Sequence, residues 1–348
     1  MTGAESAVTT APEPAQPRTS VSAPPSAGWL VVAAKEFADQ LLSVRFVVLF
    51  AVLGLAAAVP LYIAAEQIRS LASDVSGAQA VYIAMFIVGP PDFAIFGLDF
   101  TVAAFVGLTA PLLGIAFAFD AVNGERAQGT LPRLVSQPIH RDAVINGKFA
   151  AALMTISLVL VSVVLMISGF GLIRLGVVPT WSELFRLVAW VGLTLVYVAM
   201  WLAFGTLLSV VFKRAATAAL VGFGVWLLVA LFGSFLLNLA LAIVFPIDTS
   251  LPAADQLAAY QWHAFLNRLL PPTLYTEAST VILNPSITQA SVPATLGQLD
   301  QAQQQIPTLL SLDQSLLLVW PHVVALVAIT VICFAYAYVR FMREEVRA

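Results

Sequence analysis

FAAALMTISLVLVSVVLMISGFG, residues 149–171, holds no Asp, Glu, Lys, Arg or His over 23 consecutive positions. At the rise of an α-helix such a run is about 34 Å long, enough to cross the roughly 30 Å hydrocarbon core of a bilayer. A helix on a water-soluble domain needs a polar face, and this run has none, so it predicts a membrane-spanning helix. Working outward, the same reading selects 46–65, 100–119, 187–210, 216–245 and 316–339, each long enough to span and free of Asp, Glu, Lys and Arg. The fold class that follows is an all-α polytopic membrane protein with six transmembrane helices and both termini on one side.

The whole composition points the same way. The 348 residues are 60% apolar and 10% charged, with a mean hydropathy of +0.93, whereas a soluble domain carries about 25% charged residues. Soluble enzyme folds are therefore excluded. A net charge of −3 leaves no basic excess and so no nucleic-acid partner. Cys333 is the only cysteine and lies in the last apolar run, where it reads as a small buried hydrophobe. No metal or cofactor is expected: there is no HExxH zinc motif and no GxSxG nucleophile elbow, and His140, His263 and His322 offer no pair at matched depth for a haem. The spans carry no charge near the midplane, which argues against an ion-coupled transporter. Asp99, Asp120, Lys148 and Arg186 stand at span ends, where their heads are expected to reach water.

The connectors are 66–99, 120–148, 172–186, 211–215 and 246–315, and they must alternate sides. With the termini placed inside, 12 of the 16 Lys and Arg residues fall on the inner side, among them Lys35, Arg45, Arg126, Arg133, Arg141, Lys148, Lys213, Arg214, Arg340 and Arg343. Only Arg69, Arg174, Arg186 and Arg268 fall outside. Positive charge is retained on the cytoplasmic face, so this division predicts cytoplasmic termini in the plasma (inner) membrane.

Residues 1–28 contain 19 Ala, Pro, Ser or Thr and three charges, the composition of a disordered cytoplasmic tail. From 29 to 45, Leu30, Ala34, Phe37, Leu41 and Val44 recur at helical spacing opposite Lys35, Glu36, Asp39, Gln40 and Ser43, which predicts an amphipathic helix lying on the membrane surface. In the outer segment 246–315, a stripe of Leu257, Ala258, Trp262, Phe265, Leu266 and Leu269 between Pro252 and Pro271–Pro272 predicts a helix resting on the outer ends of the spans. A second short helix is expected around 275–283.

The chemistry concentrates between spans 2 and 3, in FDAVNGERAQGTLPRLVSQPIHRDAVINGKF, residues 119–149. Gly124 and Gly129 permit tight bends, Pro132 and Pro138 break or begin helices, and two short helical pieces separated by turns are expected. Leu131, Leu134 and Val135 could anchor such a piece in a partner's cleft, with Glu125 and Arg126 as rim charges. A positive loop holding lipid headgroups would have the same composition.

This segment resembles the permease subunits of ABC transporters of the ABC-2 exporter type, in which D-x-x-x-x-E-R-x-x-G-T-L, then L-x-S-x-P-I-x-R, then G-K follow the second span. Asp120, Glu125, Arg126, Gly129, Thr130, Leu131, Leu134, Ser136, Pro138, Ile139, Arg141, Gly147 and Lys148 stand where that pattern wants them. Lys35–Glu36 ahead of the first span and Leu270–Pro271–Pro272 with Tyr275 ahead of the last add agreement, and the nearest members are permeases of sodium-export and copper-enzyme-maturation systems. The resemblance implies a subunit that carries the pathway and is not itself an enzyme. No GxxxxGK[ST] phosphate loop occurs, so ATP falls to a separate ATP-binding ABC subunit, two copies of which would carry a homodimer or heterodimer of permeases embedded in membrane lipid. The ATPase-coupling role would fall to Asp120, Glu125, Arg126, Gly129, Thr130, Leu131, Leu134, Pro138, Arg141, Gly147 and Lys148. The alternative is a membrane scaffold or assembly factor of the same fold that presents a lipid or protein to a partner outside.

Overall fold

The structure is a computed structural model and describes residues 28–70, 81–90, 94–95, 98–127, 141–245, 252–285 and 310–343. The tail, and the Gly129 to Pro138 part of the loop, lie outside these residues. Six helices long and apolar enough to span a membrane run Val44–Ser70, Val102–Glu125, Arg141–Leu175, Trp181–Val211, Ala215–Val244 and Leu312–Arg343, so each charge-free run lies in its own helix. They are named here with the shorter elements as α1 (Gly28–Leu41), α2 (Val44–Ser70), α3 (Val81–Ile87), α4 (Val102–Ala118), α5 (Asn123–Ala127), α6 (Arg141–Leu175) and α7 (Trp181–Val211). The fifth span is α8 (Ala215–Leu227) and α9 (Gly233–Val244) joined by a π-turn, Leu228–Phe232, and α10 (Ala253–Asn267), α11 (Pro271–Leu283) and α12 (Leu312–Arg343) follow. A two-residue antiparallel ladder pairs Ala94–Ile95 with Leu98–Asp99.

α7 is the central helix, packed along α4, α6, α11 and α12. Trp190, Tyr197, Val198, Trp201 and Leu202 turn inward from it against Phe86 of α3, Leu113 of α4 and Tyr275 of α11. Small residues let two helices approach where lipid supplies no hydrophobic drive. Gly114 is the clearest case: a Cβ there would stand 2.8 Å from the backbone nitrogen of Leu202 and 2.9 Å from Val198 O. The fifth span is peripheral, with Leu220, Phe235, Leu239 and Ile243 all exposed.

The helices alternate between two ends. One gathers α1, the start of α2, α5, the starts of α6 and α8 and the close of α12, where Val122, Ile145, Val210, Ala337 and Phe341 form a small core of their own. Both termini of the described chain thus lie at this α1 end.

Three expectations are corrected. α6 begins at Arg141, so Arg141, Gly147 and Lys148 belong to a helix and not to a loop; Asp142 in its first turn suits the positive helix start. α7 begins at Trp181, which shortens the 172–186 connector to 176–180 and takes Arg186 into the helix, where it is 2% exposed and does not reach water. Thr180 and Glu183 form a capping box that starts this helix. The third correction concerns α10, which does not rest across the span ends. It runs antiparallel to α9, with His263 Nε2 2.9 Å from Phe245 O, Asn267 donating to Asn238 at 2.9 Å, and Leu270 against Gly233. The chain turns at Leu270, and Pro271–Pro272 open α11 instead of closing α10, a position where a missing N–H costs nothing. α10 and α11 thus form a hairpin that dips into the bundle.

Candidate functional site

The residues around Asp120 and Lys148 come together at the α1 end. Two hydrogen bonds of 2.9 and 2.7 Å join the guanidinium of Arg45, at the start of α2, to both carboxylate oxygens of Asp120. The same group donates to Ala116 O at 3.0 Å, one of the carbonyls left open where α4 ends, and lies over the Phe119 ring. Such a fork fixes orientation as well as distance.

α5 is held from below and from the side. The amides of Val122 and Asn123 both donate to Ser209 Oγ, at 3.0 and 3.3 Å, which ties the start of α5 to the end of α7. Lys148 Nζ lies 3.2 Å from Glu125 Oε1 and 2.9 Å from Glu36 Oε1 of α1. Lys148 thereby joins Glu125 of α5 to α6. A polar cleft of about 590 Å³ opens between α1, α5 and α6, lined by Glu36, Asp39, Gln40, Arg45, Asp120, Glu125 and Lys148 among the described residues. These ion pairs hold α1, α2, α5 and α6 together at this end of the bundle.

Of the residues singled out in the sequence, Asp120, Glu125, Gly147 and Lys148 meet in this junction, with Arg126 in α5 and Arg141 at the start of α6. Gly129, Thr130, Leu131, Leu134 and Pro138 lie outside the described residues. Glu36, Arg45 and Ser209 were not anticipated as members of this cluster. Arg45 carried a readable signal, being a lone cation at the edge of an apolar run with an acid at the end of the next.

A second polar seam runs down α7 at the opposite end. Glu183 accepts from the amides of Tyr82 and Ile83 at 2.9 and 3.3 Å, capping α3. Arg186 donates to Ile282 O at 2.8 Å, Ser315 Oγ at 3.1 Å and Leu310 O. Trp190 Nε1 donates to Ser279 Oγ at 2.7 Å. Thr194 spends its proton on Trp190 O, so the 3.0 Å contact with Tyr275 is donated by the tyrosine. Below these, Glu277 Oε2 accepts from Arg268 at 2.7 Å and pairs with His322 Nε2 at 2.8 Å. The spacing 183, 186, 190, 194 traces one face of α7.

Among the described residues, six helices long and apolar enough to span, α7 central among them, with an ion-paired junction at the end where both described termini meet, make this a polytopic membrane protein. The chain belongs to the ABC-2 family transporter proteins, whose family model matches residues 30–346. Members of this family are membrane permease components of ABC transporters, in general without catalytic function of their own, and work with an ATP-binding ABC subunit. No curated protein matches the chain.

Proposed function

We propose that the chain is the membrane-spanning permease subunit of an ATP-driven exporter, that two such subunits form a homodimer or heterodimer over two ATP-binding subunits, and that residues 120–148 pass the motion of those subunits to the spans. On this reading the α1 end faces the cytoplasm across the plasma membrane and the α10–α11 hairpin faces outward, in keeping with the 12 to 4 division of basic residues. Within the family we read it as a relative of the sodium-export and copper-enzyme-maturation permeases, a reading that the loop motif supports.

The observation that carries the proposal is the anchoring of the loop's foot. Residues 119–127 are tied to α2 through Arg45–Asp120, to α6 through Lys148–Glu125 and to α7 through Ser209. A displacement of the segment that follows is delivered to three spans at once. The test is coexpression with the ATP-binding subunit and purification of the complex. Glu125→Ala, which removes the tie to α6, and Gly129→Val are expected to leave the permease in the membrane while lowering ATPase copurification or permease-dependent ATP hydrolysis. Parental values of both quantities for both variants would refute a coupling role for this segment.

The scaffold reading draws on a different observation: Tyr260, Trp262 and Phe265 of α10, and Leu269 just beyond it, are exposed. An outward-facing partner seated there would be captured by the permease even without the ATP-binding subunit, and that capture separates the two readings.

A further inference from the structure

The turn at Leu270 and the last span share one carboxylate. Arg268, the residue that follows α10, donates Nε–H to Glu277 Oε2 at 2.7 Å, and the same oxygen lies 2.8 Å from Nε2 of His322 on α12. The guanidinium is always charged, so Glu277 beside it is a carboxylate with no proton to give, and Nε2 of His322 carries the hydrogen of the second bond. The other ring nitrogen, Nδ1, is buried in a side chain only 6% exposed and has no hydrogen-bond partner among the described residues. In the neutral ring Nδ1 is a bare lone pair. A proton added there becomes a buried N–H with nothing to donate to, and it sets two positive charges against one carboxylate, which Arg268 already neutralises.

The α10–α11 hairpin is thus fastened to α12 in two ways. At its shallow end Arg186 holds Ile282 O and Ser315 Oγ with a group whose charge does not change with pH. Further along α12, about 10 Å deeper by the helical rise, the fastening is an imidazole, the side chain that takes up a proton between about pH 5 and 8. Pro321 precedes it and lacks the N–H that would stiffen the helix at that point. On the elements packed against α12, the other titratable side chains near this depth are Glu277 and Tyr275 of α11 and Tyr197 of α7, while α6 carries none between Lys148 and Arg174. Phenols keep their protons below pH 8, so the charge here rests with Arg268, Glu277 and His322. Arg268 and Glu277 are each 27% exposed, which gives protons a way in.

We propose that Glu277 and His322 form a proton-operated latch between the α10–α11 hairpin and the last span, closed while His322 is neutral and released when the surroundings of the hairpin turn acidic. Release is local. The Arg268–Glu277 pair lies within the hairpin and persists, Arg186 keeps the shallow end in place, and the turn at Leu270 parts from α12. The latch stands apart from the coupling role of the opposite end of the spans, and with the hairpin facing outward it answers to acidity outside the cell.

The test is hydrogen exchange of the purified chain in detergent at about pH 7.5 and about pH 5.5, with the intrinsic pH dependence of exchange divided out. Protection of the α11 amides is expected to fall about tenfold on acidification, the weight of one buried N–H left unpaired, while α6 keeps its protection. His322→Gln retains an N–H for Glu277 and cannot take up a proton, so its α11 should be equally protected at both pH values. His263→Gln removes the imidazole of α10 and should keep the full response. An α11 that ignores acid in the parent, a response that survives in His322→Gln, or a response lost in His263→Gln each overturns the latch. Should His322→Gln fail to fold, nitrogen-15 histidine spectra of the parent and of His263→Gln read the ring directly: a buried ring already protonated at Nδ1 at about pH 7.5 overturns the latch as well.

Discussion

Arg186→Met replaces a guanidinium by a side chain that fills most of the same space and donates nothing. Arg186 is buried and supplies hydrogen bonds to Ile282 O at the end of α11, to the fully buried Ser315 Oγ at the start of α12, and to Leu310 O just ahead of it. Leu310 is half-buried and can turn to water, which leaves two acceptors without a donor. A buried polar group left unpaired costs about 1–3 kcal/mol, so the substitution is expected to cost about 2–6 kcal/mol. In a domain of a few hundred residues even the lower figure lowers the melting temperature by about 4 °C or more. The loss should be local, freeing the shallow end of the α10–α11 hairpin, because the ion-paired junction sits at the opposite end of the spans. Thermal denaturation in detergent together with limited proteolysis reads both quantities: the variant should melt earlier and be cut first in 246–311, with copurification of the ATP-binding subunit unchanged. Arg186→Lys, which keeps the charge but offers no planar fork, should fall between. Unchanged melting and an unchanged cleavage pattern in Arg186→Met would refute the assignment of this residue as the pin of the hairpin.

Gly114→Val should loosen the α4–α7 contact by about 1–3 kcal/mol, since its Cβ meets backbone and not a yielding side chain, and a drop in melting temperature together with faster proteolysis would report it. Glu277→Ala strips Arg268 and the buried His322 of their shared acceptor and should expose the turn at Leu270 to protease, an effect that Glu277→Gln largely spares. Cysteines introduced at Ser136 and at Gln303, with Cys333 removed, should be labelled by an impermeant reagent from opposite sides of the membrane, and labelling of both from one side would end the six-span reading.

The spans were legible because a run such as 149–171 has no other physical home. Their ends were harder to read, for a specific reason: charge is admitted at a helix end, so Glu183, Arg186 and Lys148 read as the last residues of connectors when they lie within helices. For α7 the capping pair Thr180 and Glu183 stood in the sequence and marks the true start. The hairpin misled the reading because an amphipathic segment carries the same stripe whether it rests on a bilayer or dips into a bundle. Only its partners distinguish the two, and Asn238 and Phe245 lie on another helix. In the junction, Asp120, Glu125 and Lys148 announced themselves by charge beside a membrane, but the pairing of Lys148 with Glu36 spans 112 positions and leaves no local trace. Gly147 acquires its meaning only once α1 is seen lying against it.

The ties of Arg186 also set an order of events during synthesis. Its span emerges from the ribosome well before any of its acceptors, and Ser315 follows 129 residues later. At ordinary elongation rates of about 5–20 residues per second, the guanidinium waits about 6–26 s for the last of the groups that will hold it. During that interval the fourth helix carries an unsatisfied cation near its membrane entrance, so it has to linger at the headgroup level, where water serves as a temporary partner. Only the arrival of the last span completes the cage. A chain interrupted ahead of Ser315 would leave that cage open on the side of the last span.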